Sequence, residues 1–167
     1  MGEVSGKRND YSRVHFVLVI GVMLLIFMLS SQPGTNSNAL SNQFIHSYQF
    51  AVEHFSFLSD TTRAALLAKP SHYVRKLAHL TIFALLGGTT FLALWQRKKS
   101  FLSCMVLSIW ICLMYAGLDE WHQYYVIGRE ANLSDVLLDT LGASIGSLSV
   151  GLIQIEISSI RKKQYKK

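Results

Sequence analysis

Cysteine is nearly absent from this chain: Cys104 and Cys112 are the only two in 167 residues, eight positions apart in one apolar stretch. Neither a disulfide framework nor a Cys-x-x-Cys metal site can be built from such a pair, so both read as small packing residues. There is no His-Glu-x-x-His and no other dense ligand motif, so the familiar metalloprotease signature is missing. No residue identifies itself as a nucleophile. Charge is also scarce, at 16% of residues against 50% apolar, and the mean hydropathy is +0.29. That balance excludes an ordinary soluble domain. No charge lies deep in the first apolar stretch or in the lower half of the third, which argues against a transport path, since such paths are lined by ionisable groups.

What is present is blocked rather than alternating. Apolar runs cover about 14–31, 74–95, 101–121 and 134–157. Each has roughly the 17 to 25 residues a helix needs to cross a hydrocarbon core, where backbone groups must be satisfied within their own segment. The expected fold is therefore all-α: a polytopic membrane protein with four transmembrane helices, plus an extracytoplasmic amphipathic helix, in a single domain over 1–167. The net charge of +6 does not indicate nucleic acid, because its positions follow the spans. Lys7, Arg8 and Arg13 precede the first, Arg97, Lys98 and Lys99 join the second to the third, and Arg161, Lys162, Lys163, Lys166 and Lys167 follow the fourth. These are 11 of the 16 Lys and Arg. The positive-inside bias then predicts a multi-pass cell-membrane protein with both termini cytoplasmic, its basic tail lying against anionic lipid.

Taken in order, the first run is longer than the roughly 7 to 15 residues of a signal h-region and lacks an A-x-A site, so it is expected to stay as a helix. Residues 33–38, rich in Pro, Gly, Thr, Ser and Asn, read as a loop. Beyond it Leu40, Phe44, Ile45, Tyr48, Ala51, Val52 and Phe55 recur at helical spacing. With Phe50 and Phe57 they suit the headgroup boundary or a lid over the bundle, or simple packing. His46 and His54 read as surface residues. Pro70-Ser71 starts the second span, with Ser71 as the expected N-cap. Trp110, Tyr115, Trp121, Tyr124 and Tyr125 read as an aromatic belt. Gly128 supplies the permissive backbone of the turn after the third span, and Asn132 or Ser134 would cap the fourth.

The ionisable residues that interrupt the apolar pattern are the candidates for function, since each costs about 2.5 to 3.5 kcal/mol at a helix centre. His72, Arg75, Lys76 and His79 share a face of the second span. On the third, Asp119, His122 and Gln123 share a face, with Glu120 about 100° away. On the fourth, Asp135 and Asp139 are four apart, above a stripe of small residues, Gly142, Ala143, Gly146, Ser147 and Gly151, that permits close helix approach. His79, Asp119 and Asp139, from three spans at similar depth, should meet. Candidate catalytic residues are His79, Asp119, Glu120 and His122, with Glu120 or Asp119 as general base and a histidine as proton carrier. Candidate substrate-binding residues are Lys76, Gln123, Arg129, Asp135 and Asp139, with Arg129 suited to a bidentate bond with a carboxylate. The His and carboxylate spacings could ligate zinc or magnesium, but they name no metal or other cofactor. Whether the protein is an enzyme stays open.

In this order, Ser30-Ser31-Gln32-Pro33, Lys76-x-x-His79, Asp119-Glu120-x-His122-Gln123, Gly128-Arg129 and Asp135-x-x-x-Asp139-x-x-Gly142-Ala143 resemble the VanZ-like family of small integral membrane proteins, over residues 30–146. Val126-Ile127 stands where the family often has Val-Pro, and residues 43–69 fall outside its motifs. The resemblance implies a bacterial envelope protein, in a family named for resistance to the glycopeptide teicoplanin, and supplies no reaction. The expectation is an outward-facing polar pocket that binds or modifies a membrane lipid or a lipid-linked cell-wall precursor. The alternative is a noncatalytic scaffold or partner-binding bundle whose charges form a structural ion-pair network.

Overall fold

The computed structural model of the chain describes residues 2–97, 99–129 and 131–164, with side chains from residue 13 onward except at 34–41. The basic positions Lys98, Lys166 and Lys167 lie outside the described residues, and so do the side chains of Lys7, Arg8 and Leu40. Among the described residues there are six helices and no strand: α1 Gly2–Ser30, α2 Gly34–His54, α3 Asp60–Ala68, α4 Pro70–Trp95, α5 Phe101–Gln123 and α6 Leu133–Gln164. Four of them, α1 from Arg13 onward, α4, α5 and α6, are long and apolar enough to cross a membrane.

Three local expectations need correction. Residues 33–38 are not a loop: Pro33 alone is extended, at φ −52° and ψ 149°, and α2 starts at Gly34. One extended residue is enough to turn the chain, and weak helix formers are tolerated in a first turn whose N–H groups lack intrahelical partners anyway. A helix that the periodicity missed, α3, follows Ser59, whose Oγ accepts from the Thr62 N–H at 3.2 Å. Nine residues are too few for a reliable periodic signal, but Ser59-Asp60 is a readable start. Lastly, Ser71 does not cap α4. Lys69 holds the cap position and Pro70 the first helical one, where a missing N–H removes nothing and the fixed φ suits the helix.

α4 is the hub, packing on α1, α2, α5 and most extensively α6. α1 and α5 end where α4 and α6 begin, so α4 and α6 run parallel while the other two oppose them. The α4–α6 seam is made by glycine. A Cβ built on Gly146 would lie 1.8 Å from the Ala84 carbonyl oxygen, one on Gly142 2.3 Å from that of Leu80, and one on Gly87 2.1 Å from that of Ala143. Only hydrogen fits. Lipid tails are as apolar as leucine, so such close packing, with interhelical hydrogen bonds, replaces the hydrophobic drive of a soluble core. Ser108 supplies one of those bonds, donating to the Gly87 carbonyl at 3.0 Å with Ser147 Oγ 2.8 Å away.

Large apolar side chains face outward instead: Val17 and Met28 on α1, Leu102 and Leu118 on α5, and Leu137 and Ile153 on α6 are all exposed. α2 lies against α4 with Val52 buried, and Tyr48 Oη donates to the Leu66 carbonyl on α3 at 3.3 Å. Phe44, Phe50, Phe55 and Phe57 remain exposed, as do His46 and His54. Of the expected aromatic belt, Trp110, Trp121, Tyr124 and Tyr125 are exposed. Tyr115 is not part of it, because its hydroxyl turns inward and donates to the Met23 carbonyl on α1 at 2.6 Å.

Candidate functional site

The glycine seam sets the register of the polar groups above it. Because α4 and α6 run in parallel, the level at which Leu80 meets Gly142 is followed upward by His79 beside Asp139 and then Lys76 beside Asp135. Lys76 Nζ forms a partly exposed ion pair with Asp135 Oδ1, and His79 Nδ1 stands 3.6 Å from Asp139 Oδ2. Asp135 sits in the first turn of α6, where the helix dipole favours a carboxylate. Asp139 is a turn deeper and 1% exposed.

α5 brings Asp119 to the same level from the other side. One oxygen of each of His79, Asp119 and Asp139, or the ring nitrogen in the case of His79, lies within 4.8 Å of the others. Asp119 Oδ2 accepts from Ser30 Oγ at 2.9 Å and from Gln123 Nε2 at 2.8 Å. Asp119 Oδ1 and Asp139 Oδ1 are both buried without a hydrogen-bond partner among the described residues. That is uncommon, since buried polar atoms nearly always find one.

Arg129 departs from the expected carboxylate bond. Its Nη1 donates to Gln123 Oε1 at 2.9 Å, its Nη2 to the Leu29 carbonyl at 3.0 Å and its Nε to the Gln32 carbonyl at 3.2 Å. The last turn of a helix leaves carbonyls unpaired, and a planar fork of donors is well shaped to collect them. Arg129 therefore closes the end of α1 and reaches Asp119 through Gln123. Burial and then the nearby Arg75 charge pull its guanidinium below the ordinary value, against the upward pull of Asp119 and Glu120. The preceding Gly128 has φ 75°, a left-handed backbone that a side chain would strain.

Glu120 is buried and accepts the backbone N–H of Asn132 on Oε1, while Asn132 Oδ1 caps α6 by accepting from the Ser134 N–H at 3.0 Å. Glu120 thus holds the α5–α6 connection. His122 points elsewhere: it lies against α1, its ring 4.6 Å from that of Phe27 and Nε2 3.0 Å from Ser31 Oγ. It lines another cavity with Phe27, Tyr115, Trp121 and Tyr125, which Asp119 also borders.

Two cavities meet at His79. A small polar one, about 30 Å³, is lined by His72, Arg75, Lys76, His79, Glu120, Gln123, Arg129, Asp135 and Asp139. A larger, mostly apolar groove of about 280 Å³ runs between α1, α2 and α4, over Ile26, Leu29, Phe44, Val74, Ala78 and Ile82, with Arg75, His79 and Arg129 at its polar edge. Of the nine candidates, the structure brings Lys76, His79, Asp119, Glu120, Gln123, Arg129, Asp135 and Asp139 to one end of the bundle and turns His122 to its flank. The sequence reading missed Ser30 as a site residue. Its signal was a hydroxyl ending an otherwise apolar run, a position that reads equally well as a helix stop.

Compared with known proteins, the chain matches the family model described as VanZ/LLP1 over residues 15–154. No curated protein and no solved structure matches it.

Proposed function

Since the chain belongs to the VanZ/LLP1 family and has four helices able to span a bilayer, we propose that this membrane protein binds a lipid or lipid-linked cell-wall intermediate by an anionic headgroup at the extracytoplasmic face. The observation that carries this reading is the junction of the two cavities. An apolar groove of about 280 Å³ opens onto Arg75, His79 and Arg129, and the same three residues line the polar cavity next to it. A molecule with an apolar tail and an acidic head is complementary to such a surface, as ligand sites combine apolar walls with a few polar groups that fix orientation. The volume is near the roughly 300 Å³ lower end for ligand pockets, so it accommodates the part of a chain next to the head, with the rest in lipid. The positive-inside bias supports the outward orientation: Arg97, Lys99, Arg161, Lys162 and Lys163 stand at the opposite end of the bundle.

The test is to purify the whole chain in mild detergent and identify the retained lipids by mass spectrometry. Acidic, phosphate-bearing lipids should be enriched over the host membrane. Ala78→Phe, which adds bulk to the groove while leaving every polar side chain in the sequence unchanged, should remove most of that enrichment. Retention that mirrors bulk lipid composition in both proteins would refute the reading. In cells, the same variant should alter any teicoplanin-susceptibility phenotype that the chain confers.

A second reading has an observation of its own. Arg129 donates to two main-chain carbonyls and a glutamine, as expected of a bundle whose charges serve to join helices. On that reading Ala78→Phe changes nothing, and site variants lower stability alone.

A further inference from the structure

We propose that His79, Asp119 and Asp139 together hold a divalent metal ion. The inference goes beyond lipid binding and does not depend on it. Three helices contribute one ligand each, and the ligand atoms already lie within 4.8 Å of one another. Around a zinc ion, with bonds of about 2.0 to 2.2 Å, tetrahedral neighbours are roughly 3.3 Å apart. The longest side therefore needs to close by about 1.5 Å, a shift that side-chain torsions can supply.

A second observation points the same way. Asp119 and Asp139 are 4% and 1% exposed, and each keeps one buried carboxylate oxygen with no partner among the described residues. Of the nearby fixed charges, Lys76 pairs with Asp135, Arg129 with Gln123 and the α1 carbonyls, and Arg75 lines the same polar cavity. Two buried carboxylates share one imidazole, which only Asp139 meets at ion-pair distance, and a metal ion would supply both added positive charge and the missing partner.

The surroundings are those of a metal site. Ser30 and Gln123 fix Asp119 Oδ2, and Arg129 fixes Gln123, the kind of outer hydrogen bonding that orients metal ligands. His79 and Asp139 also line the polar cavity, so coordination positions remain open on that side. One imidazole with two carboxylates favours Zn²⁺ or Mn²⁺ over Mg²⁺, which prefers all-oxygen sites that retain several waters.

The experiment uses the full chain in detergent, stripped with a chelator, exposed separately to ZnCl₂, MnCl₂ or MgCl₂, desalted and measured by elemental mass spectrometry. About one equivalent of Zn²⁺ or Mn²⁺ per chain should be retained, and little Mg²⁺. Asp139→Asn and Asp119→Asn, near-isosteric changes, should each lower affinity at least about tenfold, while Asp60→Asn, the same change on the exposed first turn of α3, should leave it unchanged. Co²⁺ loading of the unmodified protein gives a readout that needs no variant: visible d–d bands should appear and disappear on adding Zn²⁺. Folded protein that retains no more than a trace of Zn²⁺ or Mn²⁺, or that shows no Co²⁺ bands, overturns the proposal. Metal bound equally by both Asn variants does so too. Measuring metal on delipidated protein, and lipid retention on metal-stripped protein, allows each reading to fail without the other.

Discussion

Adding one methyl group at Gly142 should loosen the bundle and open the polar cluster together. A Cβ there would lie 2.3 Å from the Leu80 carbonyl oxygen, whereas favourable carbon contacts begin near 3.5 Å. α4 and α6 must therefore part by roughly 1 Å at that level, because a packed interior cannot absorb the overlap. Overpacking of this kind destabilises by about 1 to 3 kcal/mol. The level matters because Leu80 follows His79 directly and Asp139 is one turn above Gly142. Parting the helices there widens the 3.6 Å gap between His79 and Asp139. Gly117 is the control, on exposed α5 surface with nothing within 4 Å of a built Cβ. Gly117→Ala should be neutral or gain up to about 1 kcal/mol from helix propensity. Thermal unfolding of both variants in detergent checks the stability difference, and Zn²⁺ retention checks the site. If Gly142→Ala unfolds at or above the temperature of Gly117→Ala, the close α4–α6 seam is not what holds these helices together.

Arg129→Lys should lower stability by about 1 to 3 kcal/mol, because an ammonium cannot serve the Leu29 and Gln32 carbonyls and Gln123 at once. Faster proteolysis at the α1–α2 junction, beyond that of wild type, is the measurement. A double-mutant cycle on Lys76→Gln and Asp135→Asn should return a coupling of no more than about 1 kcal/mol, because the pair is partly exposed and so screened. A coupling several times larger would mean that this end of the bundle is far drier than its exposure indicates.

Much of the architecture was legible in residue order because the bilayer imposes a coarse rule: a backbone with no water must bond within its own helix, so a long apolar run can be little else. That rule specified four spans, and the scarcity of charge within them singled out His79, Asp119 and Asp139. The same rule is silent outside the spans. α3 was missed, and α2 was started six residues late at Leu40, because short polar helices are decided by what they pack against.

Composition and spacing alone determined the helical class, the turn at Gly128 and the identity of the polar residues. Only the folded arrangement decided their partners. Gln123 stands between Arg129 and Asp119, Ser30 on α1 completes the Asp119 shell, and His122 leaves the cluster for Phe27 and Ser31. The physical reason is that helical periodicity gives an angle around one axis, whereas a hydrogen bond requires the separation and rotation of two. Those were set by glycines so tightly fitted that a carbonyl oxygen occupies the space of a Cβ.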